Sequence, residues 1–216
     1  MMDILLHSVY LDRDKCLGCT TCLRSCPTTA IRVREGKAKI IESKCIDCGE
    51  CIRVCPHHAK MAKTDPLAKI KDYKYKVAIP APTLLGQFKL KYSIERILTA
   101  LKDLGFDEVV EVAYGADLIG RALKYEFTAK HYPKPMISSA CPAVTKLIQV
   151  RFPELTASIN RLKAPMGFTA RVTRRHLIET KNLRSEDIGI FFITPCAAKA
   201  TEVSNPLSSD DLFSTI

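Results

Sequence analysis

Two stretches near the start decide how the chain is read: residues 15–27, KCLGCTTCLRSCP, and residues 44–56, KCIDCGECIRVCP. Each runs Lys-Cys, two residues, Cys, two residues, Cys, three residues, Cys-Pro. Cys16, Cys19, Cys22 and Cys26 make the first set; Cys45, Cys48, Cys51 and Cys55 make the second. Their neighbours match as well: Leu23-Arg24 against Ile52-Arg53, and Pro27 against Pro56. Between the copies, AIRVREGKAKII (30–41) alternates about Gly36 and predicts two short strands joined by a tight turn.

Three cysteines at two-residue gaps curl a loop around one corner of a cubane cluster, and the fourth lies beyond a short helix, out of reach of that corner. Zinc sites pair two Cys-x-x-Cys dipeptides and have no use for a third and fourth cysteine followed by proline in each copy. Residues 3–64 resemble the bacterial-type two-[4Fe-4S] ferredoxin domain, in which the fourth cysteine ligates across the repeat. That resemblance implies one cluster on Cys16, Cys19, Cys22 and Cys55, and another on Cys45, Cys48, Cys51 and Cys26. His57 and His58, just after the second motif, read as polar residues rather than ligands, because the cysteines already fill both clusters.

Composition agrees with a folded iron–sulfur protein. Of 216 residues, 47% are hydrophobic and 26% charged, enough for a core and against disorder. The net charge of +10 reads as a solvated basic surface or as a docking face for an acidic redox partner. Aromatics are 7% with no Trp, and no basic–aromatic interleaving appears, so no nucleic-acid partner is expected. No apolar run is long enough to span a bilayer, so no membrane partner is expected either. MMDILLHSVYLDRDK (1–15) does not read as a signal peptide. Together with ten cysteines suited to metal rather than disulfides, this predicts a cytoplasmic protein.

The texture changes after residue 64. KTDPLAKIKDYKYK (63–76) is polar and basic and holds Pro66, so the expected organisation is a cluster domain at 1–64, a linker at 65–75 and a second domain at 76–216. Strands are predicted at KVAIPA (76–81), DEVVEVAYG (107–115), KPMISSA (134–140) and IGIFFIT (188–194). Helices are predicted at YSIERILTALKDLGF (92–106, with Ser93 as N-cap and Gly105 as stop), ADLIGRALKYEFTAKH (116–131), PAVTKLIQVRF (142–152) and FTARVTRRHLIETKNL (168–183). The expected fold class is an α+β ferredoxin-like domain followed by an α/β domain with a mostly parallel sheet. The two remaining cysteines, Cys141 and Cys196, each follow a predicted strand and precede a helix. They are expected at the carboxyl ends of parallel strands, where open α/β sheets bind ligands.

Residues 75–205 resemble the [FeFe]-hydrogenase large-subunit family. The resemblance is carried, in order, by VAIPAP (77–82), LGFDEVVEVAYGADL (104–118), KPMISSACPAVTKLIQVRFPEL (134–155), KAPMG (163–167) and FFITPCAAKATEV (191–203). It implies that Cys141 and Cys196 bind the cubane half of an H-cluster. It also implies that Lys199 donates toward a cyanide of the diiron subsite and that Met166 forms an apolar wall. The ferredoxin-like part would wire electrons between that site and a redox partner protein, with H2 and protons as the small partners.

Two departures matter. Ala140 stands where the active enzymes carry a proton-relaying cysteine, and alanine has no exchangeable proton. This fits the sensory branch of the family better than high turnover. The family's third loop supplies two further cysteines, and none remain here for a second pair of cubane ligands. The expectation is therefore a fragment of a longer protein, with hydrogen turnover left open. Two other readings stay in play: a plain dicluster electron carrier, with Cys141 and Cys196 buried and apart, and a hydrogenase-like iron–sulfur assembly factor.

Overall fold

The structure is a computed structural model that describes residues 7–128, 133–204 and 214–215. In the first part, β1 (Val9–Leu11), the one-turn helix α1 (Thr21–Arg24), β2 (Ile31–Arg34), β3 (Lys37–Ile40), the one-turn helix α2 (Glu50–Arg53) and β4 (Lys60–Ala62) follow in order. β1 pairs antiparallel with β4, and β2 with β3. The β2–β3 turn at Glu35-Gly36 has φ of 51° and 68°, which is the predicted hairpin.

The sequence repeat is also a repeat of backbone conformation. Positive φ recurs at matched positions: Gly18 (69°) and Asp47 (51°), Thr20 (65°) and Gly49 (78°), Thr29 (53°) and His58 (48°). Glycine is required at residue 18, since a Cβ there would lie 2.4 Å from the Gly36 carbonyl oxygen.

In the second part, β5 (Tyr75–Pro80), α3 (Ile94–Asp103), β6 (Glu108–Val109), α4 (Val112–Thr128), α5 (Pro142–Arg151), α6 (Pro165–Lys181), β7 (Ile188–Ile193), α7 (Ala197–Val203) and β8 (Ser214–Thr215) follow. The sheet order is β6-β5-β7-β8 with every pair parallel. Both central strands are nearly continuous apolar runs because both faces are covered. Val77, Ile79, Ile188, Ile190 and Phe192 face Met166, Ala170 and Leu177 of α6. Ala78 and Phe191 face Leu101 of α3, Phe106 and Ile70. Ser93 caps α3 by accepting the Arg96 N–H at 3.3 Å.

Several expected elements shift. The stretch expected as a linker carries a 3-10 helix (Leu67–Asp72) that buries Ile70 against the sheet, and Tyr73 meets Phe191 edge-on. The strand expected over 107–115 is cut to Glu108–Val109, and α4 begins at Val112, because a short apolar run fits either period. The expected strand at 134–140 is a single parallel bridge between Ile137 and Ile159. Pro133 and Pro135 lack the N–H groups that a longer ladder needs. The last residues of the helix expected to reach 131 lie outside the described residues, as do most of those after 204.

Candidate functional site

All ten cysteines are free thiols. Eight of them line two cavities, each drawn from both repeats. The first, partly open to solvent, is walled by Cys16, Cys19, Cys22 and Cys55. The second, equally open, is walled by Cys26, Cys45, Cys48 and Cys51. The one-turn helices explain the exchange. α1 carries Cys22 inward and sends the chain on to Cys26 on its far side, where the second motif lies, and α2 does the converse with Cys51 and Cys55.

Backbone N–H groups already point at sulfur. The Ala30 N–H donates to Cys26 Sγ at 3.2 Å, and the matched Ala59 N–H donates to Cys55 Sγ at 3.3 Å. The Ala38 N–H reaches Cys16 Sγ at 3.4 Å. Burial pushes the Cys51 thiol up to about 12 and raises Cys22 and Cys48. Cys19 is lowered by its hydrogen bond with Thr21. Thiols held this way bind metal only by releasing protons, which is the ordinary coupling of a thiolate cluster to its site. Four cysteines around each cavity, with N–H donors aimed at them, fit a cubane in donor type and number. His57 lines the first cavity, and His58 is exposed.

Cys141 and Cys196 are both exposed and both stand at the N-cap of a helix, α5 and α7. Cys196 follows β7 as expected. Cys141 does not follow a strand of the sheet, because residues 134–140 form only the Ile137 bridge. Its loop is held from the other side: Ser139 Oγ donates to Asn160 Oδ1 at 2.8 Å and approaches the Leu162 carbonyl at 2.7 Å. Lys199 is mostly buried, and its Nζ donates to Glu202 Oε2 at 3.0 Å. Met166 is buried in the core against α4 and the sheet. With eight cysteines around the two cavities, Cys141 and Cys196 give half the thiolates of a third cubane, so this donor set alone does not fit an H-cluster.

The sequence reading missed the contacts that join Ser8 and the second motif to α5 and α7. Ser8 Oγ donates to the Ala197 carbonyl at 2.6 Å, and the Ser8 N–H donates to Thr201 Oγ1 at 3.1 Å. Asp47, 1% exposed, accepts from His7 Nδ1 at 2.7 Å and from the Val9 N–H at 3.2 Å, with Lys146 of α5 at 4.0 Å. Burial works against the Asp47 carboxylate, but His7, Val9 and Lys146 together hold it below the ordinary value. Asp47 could have been noticed: it stands where the first repeat has Gly18. Among the described residues no helix is long and apolar enough to cross a membrane.

A doubly covered parallel sheet behind a duplicated cysteine unit defines an iron–sulfur protein with an attached α/β domain. The family described as the iron-only hydrogenase large subunit, C-terminal domain, matches residues 74–215, and a 4Fe-4S dicluster domain matches residues 8–56. This chain belongs to the iron-only hydrogenase large-subunit family. It is 31% identical over 220 residues to the periplasmic [Fe] hydrogenase large subunit of Nitratidesulfovibrio vulgaris, covering 93% of this chain and 52% of that one. It is 28% identical over 232 residues to iron hydrogenase 1 of Clostridium pasteurianum, covering 94% and 40%. The chain thus spans about half the length of these curated relatives or less. A solved [FeFe]-hydrogenase studied for oxygen inactivation of its H-cluster superposes with a TM-score of 0.57 at 26% identity, over 69% of this chain and 43% of that one. A Chlamydomonas reinhardtii [FeFe]-hydrogenase variant gives 0.56 at 25%, with the same coverage.

Proposed function

We propose that this chain is the electron-transfer portion of a hydrogenase-like protein, carrying two [4Fe-4S] clusters in a ferredoxin-like arrangement. One is held by Cys16, Cys19, Cys22 and Cys55, the other by Cys45, Cys48, Cys51 and Cys26. The observation that carries this reading is the pair of cavities, each walled by four cysteines taken three from one repeat and one from the other. The clusters would supply one-electron storage. The protein supplies thiolates, N–H donors to sulfur and an apolar wall.

The second cluster is the inner one in this reading. Its motif touches α5 through Asp47–Lys146 and lies against α7 at Gly49 and Ala197, the two helices headed by Cys141 and Cys196. Electrons would pass from a redox partner to the first cluster, then the second, then the hydrogenase-like site. There Cys141 and Cys196 would be thiolate ligands and Lys199 a polar neighbour. The plain-carrier reading expected these two thiols buried, and both are exposed. Ala140 puts no exchangeable proton beside Cys141, which favours a sensory role over high turnover. Ten free thiols suit the reducing cytoplasm, although the Nitratidesulfovibrio relative is named a periplasmic protein.

The test uses a maturated protein carrying the complete site. Cys141→Ala should abolish the diiron carbonyl and cyanide bands in the infrared while both cluster signals persist. Surviving bands would remove Cys141 from the ligand set. Ala140→Cys in the same protein should raise hydrogen evolution if the missing relay limits turnover, and an unchanged rate would reject that explanation.

A further inference from the structure

The repeat is broken at one buried position. Ala30-Ile31 follows the first motif, and Ala59-Lys60 follows the second in the same register. Ile31 is 3% exposed and lines the second cavity; Lys60 is 2% exposed and lines the first. Both begin a strand, β2 and β4. The scaffold therefore presents an apolar side chain to one cluster site and an ammonium-bearing one to the other.

Lys60 Nζ is fully buried and has no hydrogen-bond partner among the described residues. A lysine in that position without a counter-charge is costly, so something must compensate it. The cavity wall carries Leu11, Val33, Ala38 and Ala59 with the thiols, and its other polar side chains, Thr20, Thr21 and His57, include no carboxylate. The anions within reach are cysteine thiolates. Lys60 walls the cavity of Cys16, Cys19, Cys22 and Cys55 and not the other one.

We infer that Lys60 is a built-in counter-charge for the cluster held by Cys16, Cys19, Cys22 and Cys55, and that it sets this cluster's reduction potential above that of its repeat-related twin. The inference rests on the two-cluster reading above. One electron from an external one-electron donor (a redox protein, or dithionite in the test) makes the cluster one charge more negative, and no bond or proton moves. A fixed cation in a low-dielectric wall favours the reduced form. Two clusters built from nearly identical loops would otherwise have similar potentials. Lys60 separates them and makes the outer cluster the resting place of the first electron.

The test is an anaerobic redox titration of the reconstituted chain followed by electron paramagnetic resonance. In Lys60→Ile, which copies the first repeat, the higher midpoint should fall by at least tenfold in the reduction equilibrium, ~59 mV for a one-electron couple. Lys60→Arg should keep most of the separation. The reciprocal Ile31→Lys should raise the lower midpoint, and it covers the case in which Lys60→Ile fails to hold its cluster. About eight irons per chain with both midpoints unmoved in Lys60→Ile and Ile31→Lys would overturn this inference alone. Equal falls in Lys60→Ile and Lys60→Arg would overturn it too, since packing rather than charge would then be responsible. Fewer irons in the unsubstituted protein would overturn the two-cluster reading and this inference with it.

Discussion

Single residues hold the cysteine loops in shape, and their failure should be local. Gly18 has a φ of 69°, and an added Cβ would meet the Gly36 carbonyl oxygen at 2.4 Å. Gly18→Ala adds a left-handed penalty of roughly 1–2 kcal/mol to that backbone clash. The expected result is loss of about half the iron and of one cluster signal, and full iron retention would contradict it. His7 offers a pH test. Its hydrogen bonds with Asp47 and Cys45 outweigh burial and Lys146 and push it up to about 9 from 6.5. Since the folded value is the raised one, the stability gained is fully present below 6.5 and fades as pH rises through about 9. Unfolding stability should therefore decline across that window, and His7→Phe should flatten the decline. The cysteine spacing was legible in the sequence because ligand geometry fixes it. The partners of Asp47 and the burial of Lys60 were not, because they depend on which chain segment packs over the loop.

At the scale of elements, the sheet was legible where apolar runs were long and illegible where they were short. KVAIPA and IGIFFIT became β5 and β7, which are buried on both faces. VVEV could serve either period, and the close approach of α4 to α6 decided it. A Cβ on Gly115 would lie 2.1 Å from Thr169 Oγ1 and 3.1 Å from the Pro165 carbonyl oxygen. Gly115→Ala should therefore destabilise the α/β part by about 1–3 kcal/mol through overpacking. Chemical denaturation of the holoprotein would measure it, with the cluster signals unchanged before unfolding. The polar stretch 65–75 hid a buried Ile70 because Leu67, Ile70 and Tyr73, three residues apart among lysines and aspartates, make a pattern only one short 3-10 helix long.

Across the whole molecule, the two halves meet around Ser8 and the second cysteine motif, and Arg151 of α5 also donates to the Pro27 carbonyl at 3.5 Å. Ser8, Asp47 and Gly49 lie against α5 and α7. This junction sets the second motif beside the two helices headed by Cys141 and Cys196, and no sequence pattern announced it. Ser8→Ala removes the donor to the Ala197 carbonyl and should loosen that junction by about 0.5–1.5 kcal/mol, read as faster hydrogen exchange in α7 with iron content unchanged. The central claim is that eight thiols form two cubane sites and that the remaining two cannot complete a third by themselves. Iron and acid-labile sulfide per chain, measured after anaerobic reconstitution, test it most directly. The account predicts about eight of each, two cubanes of four. About four, or zinc in place of iron, would contradict the paired sites; about twelve would contradict the conclusion that Cys141 and Cys196 alone leave the third site incomplete.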